Sequence, residues 1–378
     1  MKRTGPNIKK VLSLLFHRSV IVALLIALQA AVVIVAMLRF SGSFVYLYWI
    51  FLGLSVLAVL VIVSRQTDPG YKIAWIILIL IFPILGWLFY VFCGGNRLSG
   101  RVRRKMQGMD RKLTEVLDQD CKAELLAGFG QDAVNQSRYL ERYAHCPAYT
   151  NTYTKYFPLG DDVFPRMLEE LRRARRYIFI EYFIIEHGIF WDSIVEILKE
   201  KHAAGVDVRV IYDDVGCIYK LPMSYAKRFE AETGIPCCVF NRFRPILSIR
   251  MNNRDHRKLL IVDGHTAFTG GVNLADEYIN VKERFGHWKD SAILVQGEAA
   301  WSMTVMFLTM WGYIREVEED YDRLRPDGQP PEASLGKGYY VQPYADNPLD
   351  NEPVGETVYL NLVSKAKQYV YITTPYLI

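Results

Sequence analysis

Three residues able to do chemistry on phosphorus stand at fixed spacing in Asp255-His256-Arg257-Lys258-Leu259-Leu260-Ile261-Val262-Asp263, and Gly270-Gly271-Val272-Asn273 follows shortly after. A phosphodiester carries negative charge that repels an attacking hydroxyl. An imidazole can outcompete that hydroxyl as nucleophile, and an ammonium can absorb the charge that develops on the phosphate oxygens. Lys258 to Val262 is an apolar run typical of a strand, and side chains two apart in an extended chain share a face, so His256 and Lys258 point the same way. Asp263 sits at an odd offset from His256 and precedes Gly264 at an Asp-Gly turn, so its expected job is to support or orient the shell around the site. Ala267 to Thr269 reads as the return strand. Its end reaches Gly270-Gly271, where missing side chains allow close backbone approach, and Asn273 is placed to donate to a phosphate oxygen.

The elements that must position this hairpin are legible upstream. Leu113 to Tyr143 is polar with a helical pattern, a connector. Phe164 to Arg176 then reads as a helix, Tyr177 to Ile185 as a buried strand, Trp191 to Ala204 as a helix closed by Gly205, and Val206 to Tyr212 as a strand. A helix near Tyr225 to Glu232 and a strand at Cys237 to Asn241 complete a third unit. Alternation of this kind predicts an α/β fold, a sheet covered by helices.

The N-terminal region is of another kind. Val20 to Leu38, Phe44 to Val63 and Ile73 to Phe92 are each about 20 residues and almost free of charge, the length that crosses roughly 30 Å of hydrocarbon as a helix. Aromatic residues Tyr46, Tyr48, Trp49, Trp87 and Tyr90 flank them as interfacial anchors do. Up to three transmembrane helices are therefore expected. Both ends of the region are basic, with Lys2, Arg3, Lys9, Lys10 and Arg18 before it and Arg97, Arg101, Arg103, Arg104 and Lys105 after it. Three spans would put these clusters on opposite sides of the membrane, so either one segment does not fully cross or one cluster lies on the outer face.

Composition excludes little. With 45 basic and 40 acidic residues the net charge is +5, too mild to demand a nucleic-acid partner. Six cysteines, Cys93, Cys121, Cys146, Cys217, Cys237 and Cys238, form neither CxxC pairs nor zinc-ligand spacings with histidine, so ordinary thiols and no metal site are expected.

The His-x-Lys-x4-Asp pattern with its Gly-Gly-x-Asn resembles the signature of the phospholipase D superfamily. From about Ile73 onward the sequence is similar to the bacterial cardiolipin synthases: in Ala74-Trp75, Phe82-Pro83-Ile84-Leu85-Gly86, Tyr212-Asp213-Asp214-Val215-Gly216, Arg254 to Lys258, Trp288-Lys289-Asp290 and Thr373-Thr374-Pro375-Tyr376. The resemblance implies transmembrane helices followed by a phospholipase D-like α/β/α sandwich in a multi-pass protein of the bacterial cell membrane. It implies transfer of a phosphatidyl group between two phosphatidylglycerol molecules, giving cardiolipin and glycerol through a phosphohistidine at His256, with no metal or other cofactor. Carried over residue by residue, His256, Lys258 and Asp263 are the catalytic candidates. Asn273, Gly270, Gly271, Arg254 and Glu181 are the substrate-binding ones.

Ala174-Arg175-Arg176-Tyr177-Ile178-Phe179-Ile180 is echoed 192 residues later by Ala366-Lys367-Gln368-Tyr369-Val370-Tyr371-Ile372. The expected organisation is a membrane anchor at 1–95, a connector at 96–152, a first catalytic half at 153–324, a Pro/Gly-rich linker at 325–352 and the start of a second half at 353–378. The second half is expected to be a truncated repeat, because no second His-x-Lys-x4-Asp pattern occurs. The family uses a second histidine to protonate the leaving glycerol oxygen. A homodimer in which each chain supplies one motif would restore it. The rival readings are a phospholipase D-type hydrolase, a single-motif dimeric nuclease and an inactive membrane-bound fragment. Membrane lipids, phosphatidylglycerol among them, are the expected partners, and nucleic acid is not.

Overall fold

The computed structural model describes residues 43–65, 69–94, 100–117, 123–242, 254–328, 338–346 and 352–374, together with 31 and 35. The chain forms two compact units that divide near Arg97.

The N-terminal unit holds helices α1 (Ser43–Ser64), α2 (Pro69–Ile81) and α3 (Pro83–Cys93). The apolar segment Phe44 to Val63 coincides with α1, which carries no charged residue along its 22 positions. Val20 to Leu38 lies outside the described residues apart from 31 and 35. The third segment, expected as one helix from Ile73 to Phe92, is two helices of 13 and 11 residues. Pro83 causes the break: it has no N–H to give to the preceding turn, and its ring clashes with the carbonyl four residues back. Gly86 then lies so close to α2 that a Cβ there would fall 2.5 Å from the Leu78 carbonyl oxygen. Among the described residues no helix is long and apolar enough to cross a membrane. In α1 the side chains are described only for Tyr46 and from Trp49 onward.

The second unit opens with α4 (Gly100–Leu117) and α5 (Gln131–Ala144). Then follow β1 (Thr152–Phe157), α6 (Gly160–Arg173), β2 (Tyr177–Tyr182), α7 (Ile189–Ala203), β3 (Asp207–Asp213), α8 (Tyr225–Thr233), β4 (Cys237–Phe240), β5 (Lys258–Val262), β6 (Thr266–Gly270), β7 (Ala292–Gly297), α9 (Ala299–Arg315) and α10 (Val354–Lys365). The strands form one mixed sheet in the order β1-β7-β6-β5-β2-β3-β4. β2, β3 and β4 are parallel, and β5, β6, β7 and β1 run antiparallel to their neighbours.

Alternation along each strand gives the sheet two apolar faces. Ile178, Ile180, Leu260 and Val262 pack with Met167 of α6, Trp191 and Leu198 of α7 and Phe229 of α8. Tyr177, Phe179, Leu259 and Ile261 pack instead with Leu117 of α4 and with Trp301, Phe307 and Trp311 of α9. The result is the expected α/β/α layering. In α9 every residue from Ala299 to Thr309 is buried. A helix buried all round has no exposed polar stripe to betray its period, which is why it was not legible in the sequence.

The expected strand at Tyr369 to Ile372 is not one. The helix before it forms as α10, but the segment itself is irregular, with all four side chains exposed. A strand exists only through hydrogen bonds to a neighbour, and no strand of the sheet lies beside this one among the described residues.

Candidate active site

Lys258 is the first residue of β5 and pairs with Tyr182, the last of β2. The His-x-Lys segment therefore lies at the carboxyl ends of the parallel strands, where ligands bind in open α/β sheets. Lys258 is buried and its Nζ donates to the carbonyl oxygen of His256 at 2.7 Å. The imidazole of His256 remains exposed to solvent and rests on Phe183, with ring centroids 4.6 Å apart. The Lys258 Nζ lies 5.5 Å from the same ring. One phenyl group thus gathers the nucleophile and the cation within reach of a single phosphate.

The local field suits that chemistry. Burial and the neighbouring Lys258 hold the His256 pKa below the ordinary 6.5 against the opposing pull of Asp255, so the ring is neutral and nucleophilic at neutral pH. Burial lowers Lys258 to about 8, while Asp255 and Asp290 act to keep it charged. Asp290 is itself raised by burial and opposed by its hydrogen bond from the Ser291 N–H. Gly270 and Gly271 explain how Asp290 comes so near. A Cβ on Gly271 would meet the Asp290 Oδ1 at 1.9 Å, and Gly270, at φ 149°, lies where a Cβ would meet the Ser291 carbonyl oxygen at 2.4 Å. The two glycines are spacers for the carboxylate beside Lys258.

The other expected site residues are placed differently. Asn273 was expected to donate to phosphate, but its side chain is buried, its amide nitrogen donates to the Tyr278 hydroxyl at 2.9 Å and its Oδ1 accepts from the Ile184 N–H at 3.0 Å. It ties the loop after β6 to the end of β2. Asp263, carried over as catalytic, lies at the opposite end of β5 from Lys258, about 16 Å along the strand. Its carboxylate accepts from the backbone N–H groups of Arg175, Arg176 and Tyr177 at 2.9, 2.7 and 2.9 Å. These bonds tie the turn after β5 to the start of β2. Asp263→Ala orphans these donors and is expected to lower unfolding free energy by about 3 kcal/mol. Denaturation in detergent followed by tryptophan fluorescence reads this, and an unmoved midpoint contradicts it.

Glu181 pairs with Leu259 and so faces the α9 side of the sheet, away from Lys258. It is fully buried and 3.6 Å from Arg257. Burial, and then Asp255, push its carboxyl well above the usual range, against Arg257. Arg254 binds the Asp213 carboxylate at 3.3 Å and the Asn241 carbonyl at 3.1 Å. Asp213 also accepts from the Asp255 N–H at 3.0 Å and from the N–H groups of Val215 and Gly216. These charges form a platform behind the motif that fixes the backbone leading into His256.

Sequence reasoning on the motif itself overlooked two neighbours. Asp290 carried a signal, as the last residue of Trp288-Lys289-Asp290 just before β7; Phe183, a lone aromatic at a strand end, carried none. A cleft of about 520 Å³ between α7 and α8, lined by His187, Tyr225 and Arg228, includes neither His256 nor Lys258.

A helix-covered mixed sheet that presents His-x-Lys at its strand ends, backed by Gly-Gly spacers, is a phospholipase D-like domain. Residues 167–311 match the family model described as cardiolipin synthase, PLD-like domain, and residues 53–95 match the phospholipase D-nuclease N-terminal model. An uncharacterized protein of Streptococcus mutans serotype c is 42% identical over 325 residues, 85% of this chain and 69% of that protein. The cardiolipin synthase of Geobacillus kaustophilus is 29% identical over 364 residues, 94% of this chain and 71% of that protein. The structure also aligns with NucT from Helicobacter pylori at a TM-score of 0.32 and 14% identity, over 46% of this chain and 95% of that one. The chain belongs to the cardiolipin synthase family of phospholipase D-like phosphatidyltransferases.

Proposed function

We propose that the chain carries the His-x-Lys half of a cardiolipin synthase, in which His256 attacks the phosphorus of phosphatidylglycerol. The bond from phosphorus to the glycerol head group breaks, the glycerol oxygen takes up a proton and leaves, and a phosphatidyl group stays on the ring nitrogen. The hydroxyl of a second phosphatidylglycerol then attacks, loses its proton and forms cardiolipin, which frees the histidine. Lys258 balances the charge on the phosphate oxygens, and Asp290 helps to keep it an ammonium. The observation that carries this reading is the placement of the exposed His256 ring and the buried Lys258 amine against one aromatic ring, that of Phe183. The sequence carries His-x-Lys-x4-Asp once, at His256 to Asp263, and a second copy of the chain is a proposed source of the proton donor.

The N-terminal unit is proposed as an anchor in the bacterial cell membrane, supported by the uncharged α1 and by the exposed apolar side chains of α1 to α3. The reaction is tested by product analysis of the full chain in vesicles with phosphatidylglycerol as the sole lipid. Cardiolipin and free glycerol in equal amounts are expected. Phosphatidic acid without cardiolipin would favour hydrolysis, and cleavage of added DNA a nuclease.

A further inference from the structure

We infer that Pro69 to Gly94 is a re-entrant hairpin that dips into one leaflet of the bilayer and returns to the face it entered from. This rests on the membrane reading of the N-terminal unit and is independent of the chemistry at His256.

Length comes first. At 1.5 Å per residue, α2 and α3 reach about 20 and 16 Å, each well short of the roughly 30 Å of a hydrocarbon core. They do not add, because the chain reverses at Pro83. The two ends of the segment meet: the Tyr71 hydroxyl donates to the Gly94 carbonyl at 2.8 Å. Trp75, one turn into α2, packs on Tyr90 of α3 at 5.3 Å between ring centroids. Gly86 allows the close approach just after the bend.

Helix α1 serves as a ruler for depth. The open end of the hairpin is level with the end of α1, where Lys72 Nζ donates to the Val63 carbonyl at 3.3 Å and Arg65 donates to the Tyr90 hydroxyl at 2.9 Å. The bend is level with Ser55, whose hydroxyl donates to the Pro83 carbonyl at 2.8 Å. From Val63 to Ser55 is about 12 Å of helix, close to the thickness of one leaflet's acyl region.

The backbone is suited to hydrocarbon at that depth. Where a helix breaks inside a membrane its freed carbonyls need partners. Here Ser55, itself buried, supplies one, and proline has no N–H to leave unpaired. The outward surface is apolar, with Ile73, Ile77, Leu80, Ile81, Leu88 and Val91 exposed. Between Lys72 and Arg97 the sequence carries no charged residue, while Arg65 and Lys72 flank the open end at the level of anionic head groups. The sequence carries basic residues both before and after its apolar region, and a third apolar segment that returns to the face it entered from removes the conflict that three full crossings would create.

The test is made on the full chain in its own membrane, with a short epitope inserted between Arg65 and Pro69 in one variant and after Gly94 in another. Protease and antibody access is read in right-side-out and inverted vesicles, and trypsin cleavage after Arg65 and Arg97 in the unmodified chain gives the same readout should an insertion unfold the protein. Both positions are expected to be accessible from the same face. Access from opposite faces, with the protein retained after carbonate washing, overturns the hairpin. Release of the unmodified chain by carbonate overturns the membrane reading as well.

Discussion

His256→Asn is expected to lower cardiolipin formation by about 10⁴-fold or more, the scale on which loss of a covalent nucleophile acts. Asparagine keeps a polar group of similar reach, and the motif's backbone is fixed elsewhere, by Asp213 through the Asp255 N–H and by β5 through its pairing with β2. Binding of phosphatidylglycerol vesicles and the unfolding transition should therefore be unchanged while turnover disappears. If binding is retained and turnover falls only a few-fold, another nucleophile is at work. An inert membrane-bound protein would show no turnover in either form.

Lys258 offers the second large effect, because function and stability move in opposite directions there. Burial lowers its pKa to about 8 from the 10.5 of a free lysine, so it loses its charge just above neutral pH. With His256 held below 6.5, the rate should rise as the imidazole is freed of its proton and fall through about pH 8 as the ammonium is lost. Lys258→Met is expected to cost about 10²- to 10³-fold in rate, as removal of a group that meets transition-state charge does. Lys258→Arg keeps its charge throughout and should abolish the alkaline fall, whatever rate remains.

The stability consequence follows by linkage. Between pH 8 and 10.5 the unfolded chain binds a proton at this position that the folded chain does not, so stability rises with pH across that window. Below pH 8 the folded protein bears the full cost of a buried charge, on the order of 3 kcal/mol. Lys258→Met should therefore be inactive yet harder to denature at pH 7. A methionine variant that is both inactive and less stable would show that Lys258 holds the fold together and would remove its assignment to the phosphate.

Much of the frame was legible because period and burial agree in it. The apolar run Lys258 to Val262 coincides with β5, and α7, β3 and α8 fall within a residue or two of their expected limits. The helices α7 and α8 each have one face on the core, so the spacing of their apolar residues reports their type, while β3 and β5 are buried on both faces and read as short, mostly apolar runs. The motif's two-residue spacing also located His256 and Lys258 together. Spacing could not report what the remaining side chains do once a hydrogen-bond partner from another element arrives. Asn273 is engaged by Ile184 and Tyr278, and Asp263 by three backbone amides 86 to 88 residues upstream. The third apolar segment shows the same limit. Hydropathy averaged over twenty residues passes over Pro83, and one ring decides whether the segment is a rod or a hairpin.

The central claim is a phosphorus–nitrogen bond at one residue. Brief incubation of the full chain with phosphatidylglycerol labelled at phosphorus, quenched under alkaline conditions that preserve phosphohistidine and followed by peptide mass spectrometry, measures it directly. The account predicts label on the peptide carrying His256, chased into cardiolipin when unlabelled phosphatidylglycerol is added. Cardiolipin formed with no label at His256 at any time would contradict it.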